Sequence, residues 1–293
     1  TDRLGIGDML EAVTEYFDKE QAEEEEDDRT RVAIVGKPNV GKSSLINKLL
    51  GENRLIVSDI AGTTRDAVDT EITYNGKEYV FIDTAGLRRK NKIKEELERY
   101  MIVRTVSAVE RAEVVVLMID AEEGVTEQDA KIAGIAHERG KATIIVVNKW
   151  DAIEKDDKTI YKFTNKVRET LSYMPYAEIM FISAQTGQRI PKLFETIDMV
   201  LENQTLRIQT GVLNEIISEA IAMQQPPSDK GKRLKIFYTT QVSVKPPTFV
   251  IFVNDKELMH FSYTRYLENK IRDAFGFAGT SLKFIIRERG EKE

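Results

Sequence analysis

Short apolar runs alternate with amphipathic stretches through the first two thirds of the chain. Five apolar runs have the length of buried β-strands: 32–35, 79–82, 114–119, 142–147 and 179–182. Three stretches have apolar residues at helical spacing: 43–50, 127–138 and 160–171. This alternation predicts an α/β fold, in which a mostly parallel sheet is covered by helices on both faces and binds ligands beyond the carboxyl ends of its strands.

The order of elements changes after residue 204. Apolar spacing then predicts a helix, two strands, a helix and a strand, at 211–223, 234–241, 248–254, 263–275 and 281–287. In the last strand Leu282, Phe284 and Ile286 share one face, which we expect to be core. The pattern therefore predicts an α/β domain at 30–204, followed by a small α+β domain at 205–293.

The first seventeen residues repeat the apolar spacing of residues 190–201. We interpret 1–17 as the remnant of the last helix of a preceding copy of the α/β domain, with an unrelated amphipathic helix as the alternative. Residues 18–28 hold eight acidic residues and one basic residue. We interpret 18–29 as a solvated acidic linker, and the alternative is a segment that competes with nucleic acid for a basic surface.

The amino-acid composition excludes several classes of function. The 293 residues fit about two domains. The absence of cysteine excludes disulfides, thiolate catalysis and zinc–cysteine sites, and two histidines, His137 and His260, are too few for a histidine metal centre.

No apolar run approaches the length of a membrane span, and no signal pattern opens the chain, so we expect a cytoplasmic protein. The chain begins with Thr1, as a processed chain or a piece of a longer protein would.

The segment GKPNVGKS at residues 36–43 follows the first predicted strand and opens a predicted helix. This order of strand, Gly-rich loop and helix is the context of a phosphate-binding loop. Its backbone N–H groups and the helix N-terminus would surround phosphate. Lys42 would reach the β- and γ-phosphates, and Ser43 would supply an oxygen to Mg²⁺.

The segment DTAG at residues 83–86 follows the strand 79–82. The carboxylate of Asp83 can hold the Mg²⁺ shell through water, and the backbone N–H of Gly86 can approach the γ-phosphate. Thr63 and Thr64 lie in the loop before this strand, where a hydroxyl could join the Mg²⁺ sphere only when the γ-phosphate is present. That loop is therefore a candidate switch.

The segment NKWD at residues 148–151 ends the strand 142–147. Asp151 can accept hydrogen bonds from guanine N1–H and the exocyclic amine, groups that adenine cannot present. Asn148 can bind the Hoogsteen edge of the base or the neighbouring loop, and the stem of Lys149 can lie on the ring. Ser183 and Ala184 end the next strand, where the backbone N–H of Ala184 would lie near guanine O6. These motifs favour GTP over ATP.

Together GKPNVGKS, GTTRD (62–66), DTAG, NKWD and the Ser183-Ala184 pair resemble the translational-factor type of GTPase. DTAGLRRKNKI and the tail LENKIRDAFGFAGT are similar to the bacterial double-GTPase family called Der or EngA, and this resemblance covers the whole chain. It implies the end of a first GTPase domain, an acidic linker, a second P-loop GTPase domain and a KH-like domain.

The resemblance implies a switch that binds and hydrolyses GTP, with GTP or GDP, Mg²⁺ and K⁺ as its ligands. The implied nucleotide-binding residues are Gly36, Lys37, Pro38, Asn39, Val40, Gly41, Lys42, Ser43, Ser44, Asp83, Thr84, Ala85, Gly86, Leu87, Asn148, Lys149, Asp151, Ser183 and Ala184. The implied metal ligands are Ser43, Thr64 and Asp83. The residues implied to act in catalysis are Lys42, Thr64, Gly86 and Asn39.

Leu87 stands where Ras-like enzymes carry the Gln that positions the attacking water, so we expect slow hydrolysis. Asn39 resembles the residue that coordinates K⁺ in potassium-activated relatives, where the cation takes the role of an arginine finger. The implied partners are the large ribosomal subunit, through its RNA and proteins, and the preceding GTPase domain. We expect a monomer that does not bind membranes and that acts in ribosome biogenesis.

Two other functions stay open. The chain could hold nucleotide while turnover belongs to the first GTPase domain, or it could be an ATP-using phosphotransferase, against which Asp151 argues. The basic run 88–94 is either a solvated loop or a contact to RNA or to the C-terminal domain.

The C-terminal domain has two weaker signals. We expect its aromatic residues Phe237, Tyr238, Phe249 and Phe252 to be core rather than base-stacking platforms. The letters GFAG at 276–279 match the nucleic-acid clamp of KH domains but lie between a helix and a strand, so we do not expect a clamp. A contact to protein or to another domain, or an unusual RNA surface, remains.

Overall fold

The computed structural model describes residues 29–51, 56–58, 69–82, 97–229 and 231–289. The predicted N-terminal helix, the acidic linker to residue 28, the switch loop and the DTAG segment therefore lie outside the described residues. The strands of the first sheet are β1 (Thr30–Val35), β2 (Ile56–Ser58), β3 (Thr70–Tyr74), β4 (Lys77–Ile82), β5 (Val114–Asp120), β6 (Ala142–Asn148) and β7 (Glu178–Phe181).

The first sheet has the order β2-β3-β4-β1-β5-β6-β7. Strands β4, β1, β5, β6 and β7 pair in parallel, whereas β2 and β3 add an antiparallel edge. Every residue of β5 and β6 is buried, because both faces of these central strands are covered. The helices that connect or follow the strands are α1 (Lys42–Gly51), α2 (Leu97–Arg111), α3 (Glu127–Glu138), α4 (Thr159–Thr170) and α5 (Ile190–Thr205).

The helices divide between the two faces of the sheet. Leu45 and Leu49 of α1 pack with Phe194 of α5 against one face. On the other face a separate cluster contains residues of α2, α3 and α4, such as Ala133 and Val167. The α/β fold class is confirmed: a mostly parallel sheet carries helices on both faces.

A second unit follows α5. Its helices are α6 (Thr210–Met223) and α7 (Phe261–Phe275), and a short 3-10 helix spans Lys256–Leu258. The strands are β8 (Ser228–Asp229), β9 (Lys232–Arg233), β10 (Ile236–Val244), β11 (Pro247–Val253) and β12 (Lys283–Glu288). Strand β11 lies in the middle of a three-stranded sheet, antiparallel to β10 and parallel to β12. Both helices and one sheet face enclose a core that contains Leu213, Phe249 and Leu267.

The prediction for the aromatic residues of this unit was partly wrong. Phe249 is buried in the core and stacks with Phe284 of the last strand. Phe237 and Tyr238 are more than two-fifths exposed. Two register shifts in the pairing of β10 with β11 interrupt the simple alternation of side chains, which the sequence pattern assumes.

A loop between α7 and β12 joins the second unit to the first. The backbone N–H of Gly279 donates to the carbonyl of Tyr176 (2.7 Å), and its carbonyl accepts from the N–H of Thr143 at the start of β6 (2.7 Å). Asn203 of α5 donates to the carbonyl of Ala278, and Thr280 donates to the carbonyl of Val200. The letters GFAG therefore mark a contact between the two units.

Among the described residues, no helix is long and apolar enough to cross a membrane.

Candidate nucleotide-binding site

The phosphate-binding loop connects β1 to α1 at the carboxyl edge of the first sheet. Asn39 and Gly41 adopt positive φ angles of 63° and 100°. Only glycine fits at position 41, since a Cβ there would lie 2.1 Å from Nδ2 of Asn148. The loop turns before α1 begins at Lys42, and the N-terminus of this helix suits an anion because its first N–H groups have no partner within the helix.

Lys42 folds back over this loop. Its Nζ donates to the carbonyl of Gly36 (2.6 Å) and to the carbonyl of Lys37. Burial lowers the pKa of Lys42 to about 8, although the nearby charge of Asp129 opposes the shift. Lys42 is thus a partly desolvated cation at the mouth of the loop, and phosphate oxygens would compensate its charge better than carbonyls do.

Lys37, in the same loop, has its side chain in a different direction. Its Nζ donates to Glu123 (2.7 Å) and lies 3.4 Å from Oδ2 of Asp129. Asp129 belongs to the first turn of α3, where it forms a capping box with Thr126. Sequence reasoning missed Glu123 and Asp129. The spacing Thr-x-x-Asp at 126–129 agrees with the helix start that the apolar pattern predicts at residue 127, but it indicates no contact with the loop.

Asn148 joins two loops that approach the site from different strands. Its Nδ2 donates to the carbonyl of Val40 (2.7 Å), and its Oδ1 accepts from the backbone N–H of Ala184 (2.8 Å). Asn148 is 2 % exposed, and both bonds are buried. Of the two predicted roles for Asn148, this geometry corresponds to the contact with neighbouring loops.

The other residues of the NKWD segment have distinct environments. Lys149 has a positive φ of 61°, and its Nζ donates to Asp120 at the end of β5. This hydrogen bond and the charge of Asp120 raise the pKa of Lys149 against the opposing effect of burial. Trp150 is buried beside Phe181 and packs in the core. Asp151 is exposed at the carboxyl edge of the sheet, where its carboxylate is open to a ligand.

The remaining predicted residues divide into three groups. Pro38, Asn39 and Ser44 are exposed, and Ser43 is half-buried in the first turn of α1. Ser183 is buried, and its Oγ accepts from the N–H of Thr186 (3.0 Å). The rest lie outside the described residues: Thr64, Asp83, Thr84, Ala85, Gly86 and Leu87.

The described residues contain no cluster of three or more acidic or histidine side chains that could hold a metal by itself. Ser43, a half-buried residue, stands one position after Lys42 at the N-terminus of α1. A hard cation bound there would share its coordination with phosphate oxygens, which is how Mg²⁺ is usually held beside nucleotides.

Two family models match the chain. The model described as "50S ribosome-binding GTPase" matches residues 31–149. The model described as "KH-domain-like of EngA bacterial GTPase enzymes, C-terminal" matches residues 207–287. The first match includes the phosphate-binding loop and Asn148, and the second includes α6, α7 and the three-stranded sheet.

Curated proteins named GTPase Der match nearly the whole chain. The protein from Lachnoclostridium phytofermentans is 76% identical over 290 residues, and that from Listeria monocytogenes serotype 4a is 58% identical over 286 residues. These matches cover 99% and 98% of the chain but 66% of each relative. The chain thus spans about two thirds of the length of the curated relatives that it matches.

Among solved structures, the chain is similar to Era in complex with MgGDPNP and nucleotides 1506–1542 of 16S ribosomal RNA. The identity is 24%, the TM-score is 0.46, and the match covers 89% of the chain and 94% of Era.

Proposed function

The chain belongs to the family of bacterial GTPases named Der or EngA, and on that premise we propose that it binds guanine nucleotides and hydrolyses GTP to GDP and phosphate. One observation carries the proposal: the same edge of one sheet holds Lys42, the turn at Gly41 and the exposed Asp151. Asn148 connects the loops between them through its two hydrogen bonds. One site therefore contains groups that can bind phosphate and groups that can bind guanine.

The phosphates would bind in the loop at residues 36–43. The ammonium of Lys42 would leave the carbonyls of Gly36 and Lys37 for the β- and γ-phosphates. Loop N–H groups and the N-terminus of α1 would hold the remaining oxygens. No protein group needs to react covalently, because phosphoryl transfer to water depends mainly on positioning and charge stabilisation.

The base would bind at the NKWD and Ser183-Ala184 segments. Asp151 would accept from N1–H and the exocyclic amine of guanine, which excludes adenine. The stem of Lys149 would lie on the ring while its ammonium stays bound to Asp120. Ala184 would lie near O6 of guanine, and its backbone N–H donates to Asn148 in this structure.

We propose Ser43, Thr64 and Asp83 as the residues that hold Mg²⁺, which when bound neutralises charge on the β- and γ-phosphates. Gly86 would contact the γ-phosphate through its N–H. Leu87 has no group that can orient water, so turnover is proposed to be slow. Asn39, exposed and with a positive φ, is proposed to hold K⁺ beside the phosphates.

Single-turnover hydrolysis tests whether this chain is an enzyme or a module that only holds nucleotide. With protein in excess over GTP and Mg²⁺ present, we expect complete release of phosphate from GTP and none from ATP. Bound GTP that stays intact would assign turnover to the first GTPase domain of the longer relatives. The rate in K⁺ should exceed that in Na⁺, and equal rates would remove the role proposed for Asn39.

We further propose a role in biogenesis of the large ribosomal subunit, in the cytoplasm, as a monomer and together with a preceding GTPase domain. The description of the matched family, "50S ribosome-binding GTPase", supports the proposal. Co-sedimentation with purified ribosomal subunits, in GTP-analogue, GDP and nucleotide-free states, tests it. We expect selective pelleting with the large subunit in one nucleotide state. Absence of pelleting in every state, for this chain and for one with the preceding domain, would contradict it.

A further inference from the structure

Two lysines lie in the phosphate-binding loop, and their side chains have different environments. Within the described residues, the hydrogen bonds of Lys42 Nζ go to the carbonyls of Gly36 and Lys37, so its ammonium can turn to a ligand without breaking an ion pair. The side chain of Lys37 is 8% exposed and is held by two carboxylates. Turning Lys37 toward phosphate would leave those carboxylates without their cation.

Asp129 is the carboxylate for which this loss would be most costly. Its side chain is 0% exposed. Its Oδ2 accepts from the N–H of Thr126 (2.9 Å) and from the hydroxyl of Thr126 (2.7 Å), whereas Oδ1 has no hydrogen-bond partner within the described residues. A buried carboxylate needs a compensating cation, and Lys37 is the cation paired with it here.

Glu123, the other ion-pair partner of Lys37, differs from Asp129 in its exposure to solvent. The side chain of Glu123 is 60% exposed, so its bond to Lys37 is screened by solvent and contributes little. Removing Glu123 therefore provides a control for removing a surface charge near the loop. Removing the charge of Asp129 breaks the buried ion pair with Lys37.

The backbone of Lys37 belongs to the part of the loop that Lys42 uses. The carbonyls of Gly36 and Lys37 both accept from Lys42, and the side chain of Lys37 fixes this segment to the first turn of α3. Movement of the segment would displace both the N–H groups of the loop and the resting contacts of Lys42. A loop that is already ordered loses less conformational freedom when nucleotide binds.

We propose that the Lys37–Asp129 ion pair is a positioning element for nucleotide binding, which holds the start of the phosphate-binding loop against α3, so that Lys37 acts through the loop and not as a phosphate ligand. The proposal rests on the proposed function, because it concerns the same site. It assigns to Asp129 a role that the sequence motifs of the site do not include.

The test compares Lys37→Met, Asp129→Asn, the double variant and Lys37→Arg, with Glu123→Gln as the control. Dissociation constants for fluorescent GDP and a GTP analogue are measured together with the single-turnover rate at saturating GTP. Asp129→Asn keeps an acceptor for Thr126, and Lys37→Met keeps the apolar stem. Thermal unfolding of each variant shows that the fold is retained.

We expect each single variant to weaken binding of both nucleotides by about tenfold, and the double variant to be no weaker, because the two residues act as one pair. Lys37→Arg, which keeps the charge, and Glu123→Gln should stay within about twofold of the unaltered chain. The loss should appear mainly in the dissociation constants and less in the single-turnover rate at saturating GTP, because bound nucleotide itself orders the loop.

Two results of the binding measurements would overturn the proposal. If Asp129→Asn tightened binding while Lys37→Met weakened GTP more than GDP, Lys37 would be a phosphate ligand that Asp129 restrains. If the effects of the single variants added in the double variant, the two residues would not act as a pair.

Amide hydrogen exchange at residues 36–41 of the nucleotide-free protein separates this proposal from the proposed function. We expect faster exchange in Lys37→Met and Asp129→Asn, even if the unaltered chain bound no guanine nucleotide. Unchanged exchange would overturn the positioning role. Failure of the unaltered chain to bind GTP and GDP would instead overturn the proposed function.

Discussion

Lys42 shows how burial of a single residue leads to a measurable pH dependence. Its pKa in the free protein is lowered to about 8 by burial, so the ammonium is fully charged only well below that pH. Phosphates would raise this pKa in the complex. Binding above pH 8 therefore takes up a proton, and the affinity for GDP must fall as the pH rises.

We expect GDP to bind about tenfold more weakly at pH 9 than at pH 7, and with nearly constant affinity below pH 7. Titration with a fluorescent GDP derivative over this range measures the effect. Lys42→Arg is the control, because arginine keeps its charge and should give a flat profile. A profile for the unaltered chain that matched the arginine variant would contradict the assignment.

Gly41 lies where a side chain cannot be accommodated. A methyl group there would collide with Nδ2 of Asn148, and φ is 100°. Gly41→Ala should destabilise the fold by about 1–3 kcal/mol and weaken nucleotide binding. Chemical denaturation and GDP titration measure both effects.

Gly76→Ala is the matched control for Gly41→Ala. Gly76 has a φ of 81°, but in the part of the chain that the structure describes no atom beyond its chain neighbours lies within 4 Å of the position that a Cβ would take. The backbone strain is therefore similar, whereas the collision is absent. Equal losses of nucleotide affinity in the two variants would show that the contact with Asn148 does not matter.

At the scale of elements, Asn148 ties β6 to the loops after β1 and β7. Asn148→Ala would leave the carbonyl of Val40 and the N–H of Ala184 without their buried partner. We expect a loss of about 2–4 kcal/mol in stability and a weaker affinity for GDP. Urea denaturation and GDP titration measure the two losses.

Asn214→Ala is the control that separates the effect of Asn148→Ala on stability from its effect on the affinity for GDP. Asn214 makes a similar pair of bonds, to the N–H and the carbonyl of Thr239, in the second unit of the chain. This variant should lose stability without losing affinity for GDP. If both variants weakened binding equally, the effect of Asn148 would be global and not local.

The parallel strands of the first sheet were predictable, and the two antiparallel strands beside them were not. Strands β5 and β6 are continuous apolar runs because both of their faces are covered. Strands β2 and β3 were missed, since β2 has three residues and β3 has polar residues in the sequence TEITY. Helix α2 was also missed. Its Ile102 and Val103 are 53% and 65% exposed, which obscures the amphipathic pattern.

The candidate site was predictable as far as local motifs define it. Loop geometry at Gly41 and the strand-end position of NKWD follow from short segments. The pair formed by Lys37 and Asp129 joins residues 92 positions apart, so no local pattern indicates it. The same holds for the bond between Asn148 and Val40.

At the scale of the whole molecule, the loop between α7 and β12 fixes the second unit to the first. Gly279 has a φ of 75°, and a Cβ there would lie 2.0 Å from Cγ1 of Val200. Gly279→Ala should loosen this contact. We expect unfolding to separate into two thermal transitions, because the two units have separate cores.

Gly276→Ala provides the comparison, because Gly276 has a φ of 88° and, beyond its chain neighbours, no atom of the described residues lies within 4 Å of the position of a Cβ. Like Gly279→Ala it places a side chain at a positive φ, but it introduces no collision with Val200. Calorimetry should show two thermal transitions for Gly279→Ala and one for Gly276→Ala. A single transition in both would show that the Gly279 contact does not couple the units.

Nucleotide selectivity tests most directly the claim that this edge of the sheet is a guanine-specific phosphate-binding site. Competition against a fluorescent GDP derivative, with GTP, xanthosine triphosphate and ATP, should be measured for the unaltered chain and for Asp151→Asn. We expect GTP to compete best with the unaltered chain. The variant should prefer xanthosine triphosphate, whose additional carbonyl can accept from the new amide. Strong competition by ATP, or an unchanged order of preference in the variant, would contradict the claim.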